Sequence, residues 1–159
     1  MTSTNEFTPL DSGPVVASPA PRLDIAARAY LGTPFLHQGR DPAIGIDCVG
    51  LVALCVRDCG LSHLLSHDFT SYHRNPAHGE LERRLRAALG APVTGGLRPG
   101  DVVSMSFAGQ TRHVGVIGAA PDGRPSLIHT YNKPAKVIEH GIDDKWRRRI
   151  TGIYRVESQ

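Results

Sequence analysis

Apolar positions follow two different periods along this chain, and the change falls near Leu97. Before that point the spacing is helical. Pro21 opens a helical segment, Leu23 to Leu31, at the position where a missing N–H costs nothing. Gly32 suits the C′ site and Pro34 blocks continuation. Residues 35–46, dense in Gly, Pro and Asp, read as a loop. Asp47 is placed to cap a second helix, predicted over 48–59 and ended by Gly60. Residues 79–89 are amphipathic. Leu81, Leu85 and Leu89 form one stripe, while Glu80–Arg84 and Glu82–Arg86 pair at i,i+4 on the solvated side.

After Leu97 the pattern alternates. Arg98-Pro99-Gly100-Asp101 has Pro and Gly where a type II turn requires them. Strands are predicted at Val102 to Phe107, His113 to Ile117, Ser126 to Tyr131 and Lys136 to His140, with a hairpin loop over 118–125. A short basic helix, Asp144 to Arg149, precedes a last strand, Gly152 to Val156. Helices first and antiparallel strands second define an α+β domain, expected over residues 22–159. Residues 1–21, rich in Ser, Thr and Pro and without period, read as a flexible N-terminal arm.

Composition narrows the function. The 159 residues are 40% apolar and 21% charged, ordinary for one soluble domain. A net charge of +3 and a pI near 9.0 suit an anionic partner such as a cell-wall polymer, but fall short of a nucleic-acid footprint. No apolar run is long enough for a membrane span, and residues 1–22 lack the pattern of a secretory signal. A protein of this kind acting outside the cytoplasm would be carried there by something else.

The three cysteines, Cys48, Cys55 and Cys59, are an odd count in a chain too large to need disulfides. They share one helical stripe, and Cys55 and Cys59 read as core packing. Cys55, Cys59, His63 and His67 step by four, the pattern a helical zinc set would need. Gly60 interrupts that register, and the spacing lacks the turn of known finger sites, so no metal or cofactor is expected. His63, His67, His73 and His78 read as solvated loop side chains.

Cys48 stands apart. A thiol in the first turn of a helix feels unpaired N–H groups and the positive end of the macrodipole, which favour thiolate, the nucleophilic form. Cys48 followed by His113 and His129 is the order a thiol hydrolase would use. Both histidines are odd-numbered, so a hairpin register with an even sum of partners puts them on one face. Packing of the Cys48 helix against the sheet would then bring the thiol to His113. In that arrangement Cys48 attacks a carbonyl, His113 holds the thiolate as an ion pair and protonates the leaving amine, and His129 fixes the tautomer of His113. The Cys48 backbone N–H is a candidate oxyanion donor. The same residues also fit a structural cysteine and two core histidines.

A resemblance raises the weight of the first reading. Tyr30 to Phe35, Gly45 to Leu51, Leu97 to Val103, Arg112 to Val116 and Leu127 to His129, in that order, resemble the NlpC-type peptidoglycan peptidases. These motifs cover roughly residues 23–156. The Gln38-Gly39-Arg40 loop and Trp146 to Arg149 before a final strand look most like the phage-tail and prophage branch. The resemblance implies a papain-like α+β fold, a Cys48–His113–His129 triad, and cleavage of the D-glutamyl–diaminopimelate bond of peptidoglycan stem peptides. It also implies delivery in a phage tail or phage-like particle, with that particle's proteins as partners. Two positions depart from the pattern. Phe35 stands where the family often has Tyr, so a backbone N–H or His37 would have to supply the oxyanion donor. Val49 stands where Ser is common, which bears on substrate contact. Asp47 matches, as helix cap first and substrate contact second. Two rivals share these residues: a tail-tip assembly protein that keeps the fold, and a thiol amidase or acyltransferase with another substrate.

Overall fold

A computed structural model describes residues 22–68 and 76–157. The expected arm, residues 1–21, and His73 lie outside the described residues. The elements in chain order are α1 (Leu23–Arg28), β1 (Arg40–Asp41), β2 (Gly45–Ile46), α2 (Cys48–Asp58), a 3-10 helix (Ser62–His67) and α3 (Glu80–Leu89). There follow β3 (Val102–Phe107), β4 (Gln110–Ala119), β5 (Pro125–Asn132), β6 (Ala135–Gly141), α4 (Asp144–Arg149) and β7 (Ile150–Tyr154). Strands β3 to β7 form one antiparallel sheet in the order β6-β5-β4-β3-β7, and β1 pairs with β2. This is the expected α+β arrangement of helices against an antiparallel sheet. Among the described residues no helix is long and apolar enough to cross a membrane.

Several boundaries differ from expectation: β4 begins at Gln110 rather than His113, and the loop expected over 35–46 holds β1 and β2. Three further differences have a tertiary reason. Helix α1 stops at Arg28 rather than Leu31. Residues 29–31 tighten into i→i−3 bonds, and the N–H of Gly32 and the carbonyl of Thr33 pair with Val137 of β6. The chain is drawn onto the sheet edge before the helix can finish. The hairpin loop between β4 and β5 shrinks to residues 120–124, closed by the Ala120 N–H donating to the Arg124 carbonyl. Strand β7 starts directly from α4 and ends at Tyr154, because Ile150 pairs with Met105 and Tyr154 with Val102.

The sheet has an apolar layer on each face. Val102, Val114, Val116 and Ile128 pack with Leu23 and Ala27 of α1 and Leu51, Leu54 and Cys55 of α2. Val103, Met105, Ile117 and Leu127 cluster on the other face with Phe107, Trp146 and Ile153. Each aliphatic side chain buried in these layers contributes roughly 1.5–3 kcal/mol relative to exposure. Charged ties hold distant segments: Arg28 reaches Glu139 of β6 at 2.8 Å, and Arg155 grips the buried Asp101 at 2.8 Å.

Candidate active site

The site begins with a capped helix. Asp47 has extended backbone, and its Oδ1 accepts from the Gly50 N–H at 2.8 Å, so Cys48 becomes the first residue of α2. Its Oδ2 accepts from the Gln38 N–H at 2.8 Å, and Arg40 donates to Oδ1 at 3.2 Å. One buried carboxylate therefore caps α2 and pins the preceding loop. Glycines make the approach possible. A Cβ on Gly50 would overlap the carbonyl oxygen of Gly39, and a Cβ on Gly39 would overlap that of Gly45. Both carboxylate oxygens of Asp47 are engaged in this scaffold, which accounts for its first expected role. Phe35 and His37 lie half-buried on the same segment. Phe35 donates its N–H to Ala135 of β6 at 2.8 Å and bridges to Ile46.

The Cys48 sulfur faces three backbone N–H groups, those of Val114, Val49 and Cys48 itself, and these favour thiolate as expected. They do not prevail. Burial and the neighbouring Asp47 carboxylate push the thiol up to about 12. The expected thiolate is thus replaced by a neutral thiol at neutral pH, because the enclosure that aims N–H groups at the sulfur also strips its water.

Helix and histidines approach β4 differently from expectation. Helix α2 packs on the face carrying Val114 and Val116, whereas the adjacent odd-numbered residues of β4 and β5 carry the imidazoles on the face of Trp146. The β4–β5 ladder stops at the Val116–Ile128 pair. Beyond its end the Val114 N–H turns to the sulfur, one residue from His113. Among the described residues, no hydrogen bond joins the thiol to the His113 ring.

The histidine pair itself forms as the parity of the register required. Val116 pairs with Ile128, an even sum, so His113 and His129 share a face. The His113 Nε2 and His129 Nδ1 atoms lie 2.7 Å apart, with the rings 9% and 0% exposed. Burial lowers His113 to about 4; burial, then His113 and His140, lowers His129 to about 2. Both rings are neutral at pH 7, and one donates to the other.

Two further residues join the site that the sequence did not assign to it. His140 continues the row: His129 Nε2 and His140 Nε2 are 2.8 Å apart, and His140 Nδ1 lies 2.8 Å from the Gly141 carbonyl oxygen. Trp146, from the short basic helix, covers the row, with ring centroids 5.1 Å from His129 and 4.9 Å from His140. Phe107 and Tyr131 complete an aromatic wall, and the Arg149 guanidinium lies 4.1 Å from the Phe107 ring centre. The tight β5–β6 turn held the missing signal. Pairing Asn132 with Ala135 brings His140 opposite Leu127, on the face of His129. Cys55 is fully buried and Cys59 partly so, as packing requires. Gly60, at φ 76°, turns the chain out of α2 before His63.

The arrangement of helices and sheet has counterparts among solved structures. The NlpC/p60 domain of the peptidoglycan hydrolase SagA aligns over 84% of this chain and 95% of its own, with a TM-score of 0.52 at 19% identity. The fold is that of NlpC/P60 domains. A lipoprotein-like NLP/P60 protein of Staphylococcus aureus aligns over 87% of this chain with a TM-score of 0.56 at 16% identity. The peptidoglycan hydrolase RipB of Mycobacterium tuberculosis aligns over 87% with a TM-score of 0.55 at 16% identity. This chain spans 41% and 64% of those two longer chains. No protein-family model and no curated protein matches the sequence. The NlpC/P60 likeness is one of fold, so residue roles rest on the geometry above.

Proposed function

We propose that the chain is a cysteine peptidase of peptidoglycan stem peptides, with residues 22–159 as its catalytic domain. The observation that carries this reading is the buried 2.7 Å contact between His113 and His129, on the residue next to the N–H that meets the Cys48 sulfur. In an NlpC/P60-type fold, a hydrogen-bonded pair of neutral imidazoles beside a helix-start thiol is suited to acyl transfer.

Starting from a neutral thiol, His113 acts as a general base during attack. The Cys48 S–H proton passes to His113 as sulfur bonds to the substrate carbonyl carbon. The tetrahedral oxyanion is met by backbone N–H groups at the start of α2, among them that of Cys48. The C–N bond then breaks, and the imidazolium returns its proton to the leaving amine. Water, deprotonated by His113, hydrolyses the thioester and restores the thiol. His129 accepts from His113 Nε2 throughout. Phe35 and His37 lie on the loop that Asp47 pins, and His37 carries a polar group where Phe35 carries none.

The substrate assigned is the D-glutamyl–diaminopimelate bond, and the carrier a phage tail or phage-like particle. The motif resemblance at Gly45 to Leu51, Gln38 to Arg40 and Trp146 to Arg149 supports both. Incubation with purified sacculi under reducing conditions, with mass analysis of the released fragments, tests the activity. Wild-type protein should release fragments with new diaminopimelate amines, and Cys48→Ala should release none. Equal release by Cys48→Ala, or none by either, would remove the peptidase reading.

A further inference from the structure

We infer that His140 is a positioning residue: through a one-way chain of hydrogen bonds from the Gly141 carbonyl, it sets which nitrogen of His113 is free to act as a base. The inference rests on the peptidase reading for its consequence, but not for its geometry.

The chain's direction follows from one atom that can only accept. The Gly141 carbonyl oxygen lies 2.8 Å from His140 Nδ1, so Nδ1 carries the proton. In its neutral form His140 has one N–H, which leaves a lone pair on its Nε2. His129 Nε2, 2.8 Å away, must then be the donor, and its Nδ1 becomes an acceptor. His113 Nε2, 2.7 Å from that acceptor, must donate in turn. The remaining lone pair is on His113 Nδ1. Each assignment forces the next, and the low positions of His113 and His129 keep both rings neutral at pH 7.

Nδ1 is also the useful nitrogen. It is bonded to Cγ and so lies on the main-chain side of the ring. The Cys48 sulfur meets the main chain at the next residue, through the Val114 N–H. The opposite tautomer would present an N–H there and could not take the thiol proton. His140 thus acts at a distance, through His129. Trp146, packed against both His129 and His140, holds the two rings in line.

The test uses the full chain with ¹⁵N-labelled histidine, read at pH 8.5 by long-range ¹H–¹⁵N correlation, which distinguishes the two neutral tautomers. Wild-type protein should show Nε2–H at His113 and His129 and Nδ1–H at His140. His140→Phe removes the acceptor facing His129. It should mix the tautomers at His129 and His113 and slow both Cys48 alkylation and sacculus cleavage on the order of 10- to 100-fold. His140→Gln keeps a carbonyl oxygen within reach of His129 and should restore the wild-type tautomers and most of the rate. Nδ1–H at His113 in the wild type, or unchanged tautomers in His140→Phe, would overturn the proposal. If His140→Phe does not fold, the wild-type and His140→Gln spectra decide alone. Correct tautomers in a protein that cuts no sacculi would refute the peptidase reading and leave the chain of bonds standing.

Discussion

Cys48 is pulled in two directions, and the magnitudes decide its resting state. Three backbone N–H groups favour the anion, while burial and the Asp47 carboxylate oppose it and win. The sequence announces two of those N–H groups, those of Cys48 and Val49, because helix starts and caps are local patterns. It is silent on the third, from Val114, which lies 66 positions along the chain (114 − 48), and on the burial that opposes all three. The same limit applied at His113 and His129: parity placed them together, but their neutral state came from burial, His129 against Trp146 of α4 and His113 against Phe107 and Tyr131. A thiol pushed up to about 12 should be quiet in the free protein. Iodoacetamide labelling of Cys48 at pH 7.5 is expected to run roughly 100-fold or more below a free thiol of ordinary acidity, and to keep rising past pH 9. A rate that levels off near pH 7 would show a preformed thiolate and restore the ion pair.

Among the elements, the start of α2 carries the most constraint per residue. Asp47 satisfies the Gly50 and Gln38 N–H groups and balances Arg40, while Gly39, Gly45 and Gly50 stack their backbones without room for a Cβ. Asp47→Ala should therefore cost the cap, about 1 kcal/mol, and in addition strand a loop N–H, for a total of about 2–3 kcal/mol. Urea unfolding should show a lower midpoint at unchanged slope. Glu80→Ala, which removes an i,i+4 partner of Arg84 on the surface of α3, should leave the midpoint nearly in place. Equal effects from the two changes would mean that Asp47 is not the anchor of this loop. The cap was readable because Asp47 sits one residue before an apolar helical run. The face on which α2 packs was not. Alternation says which residues of β4 share a side, but which side a helix covers is settled by the whole sheet. The short β5–β6 turn was the lost opportunity: its register places His140, yet Lys133-Pro134 reads only as a turn until Asn132 is paired with Ala135.

For the molecule as a whole, the buried groups of the site set a window of stability in pH. His113 and His129 are held at about 4 and about 2 when folded, against 6.5 as the ordinary value. Between pH 6.5 and 4 the unfolded chain binds more protons than the folded one, so stability falls as the solution is acidified. Each buried ring contributes a slope of roughly 1 kcal/mol per pH unit in that range. Glu139 and Asp24, both depressed by arginine partners, deepen the loss further down. On the alkaline side the sign reverses. Cys48 and Cys55 are held above their ordinary 9.0, so the unfolded chain releases protons first and stability falls as pH rises past 9. Thermal melts should thus be flat between about pH 6.5 and 9 and decline on both sides. His129→Asn removes one titrating ring, and should lower the plateau while making the acid limb shallower. A melting temperature that held from pH 7 to 5 in the wild type would mean that the two rings take up protons while folded. Two imidazolium rings both donate and neither accepts, so the 2.7 Å bond on which the site is built could not then be its resting arrangement.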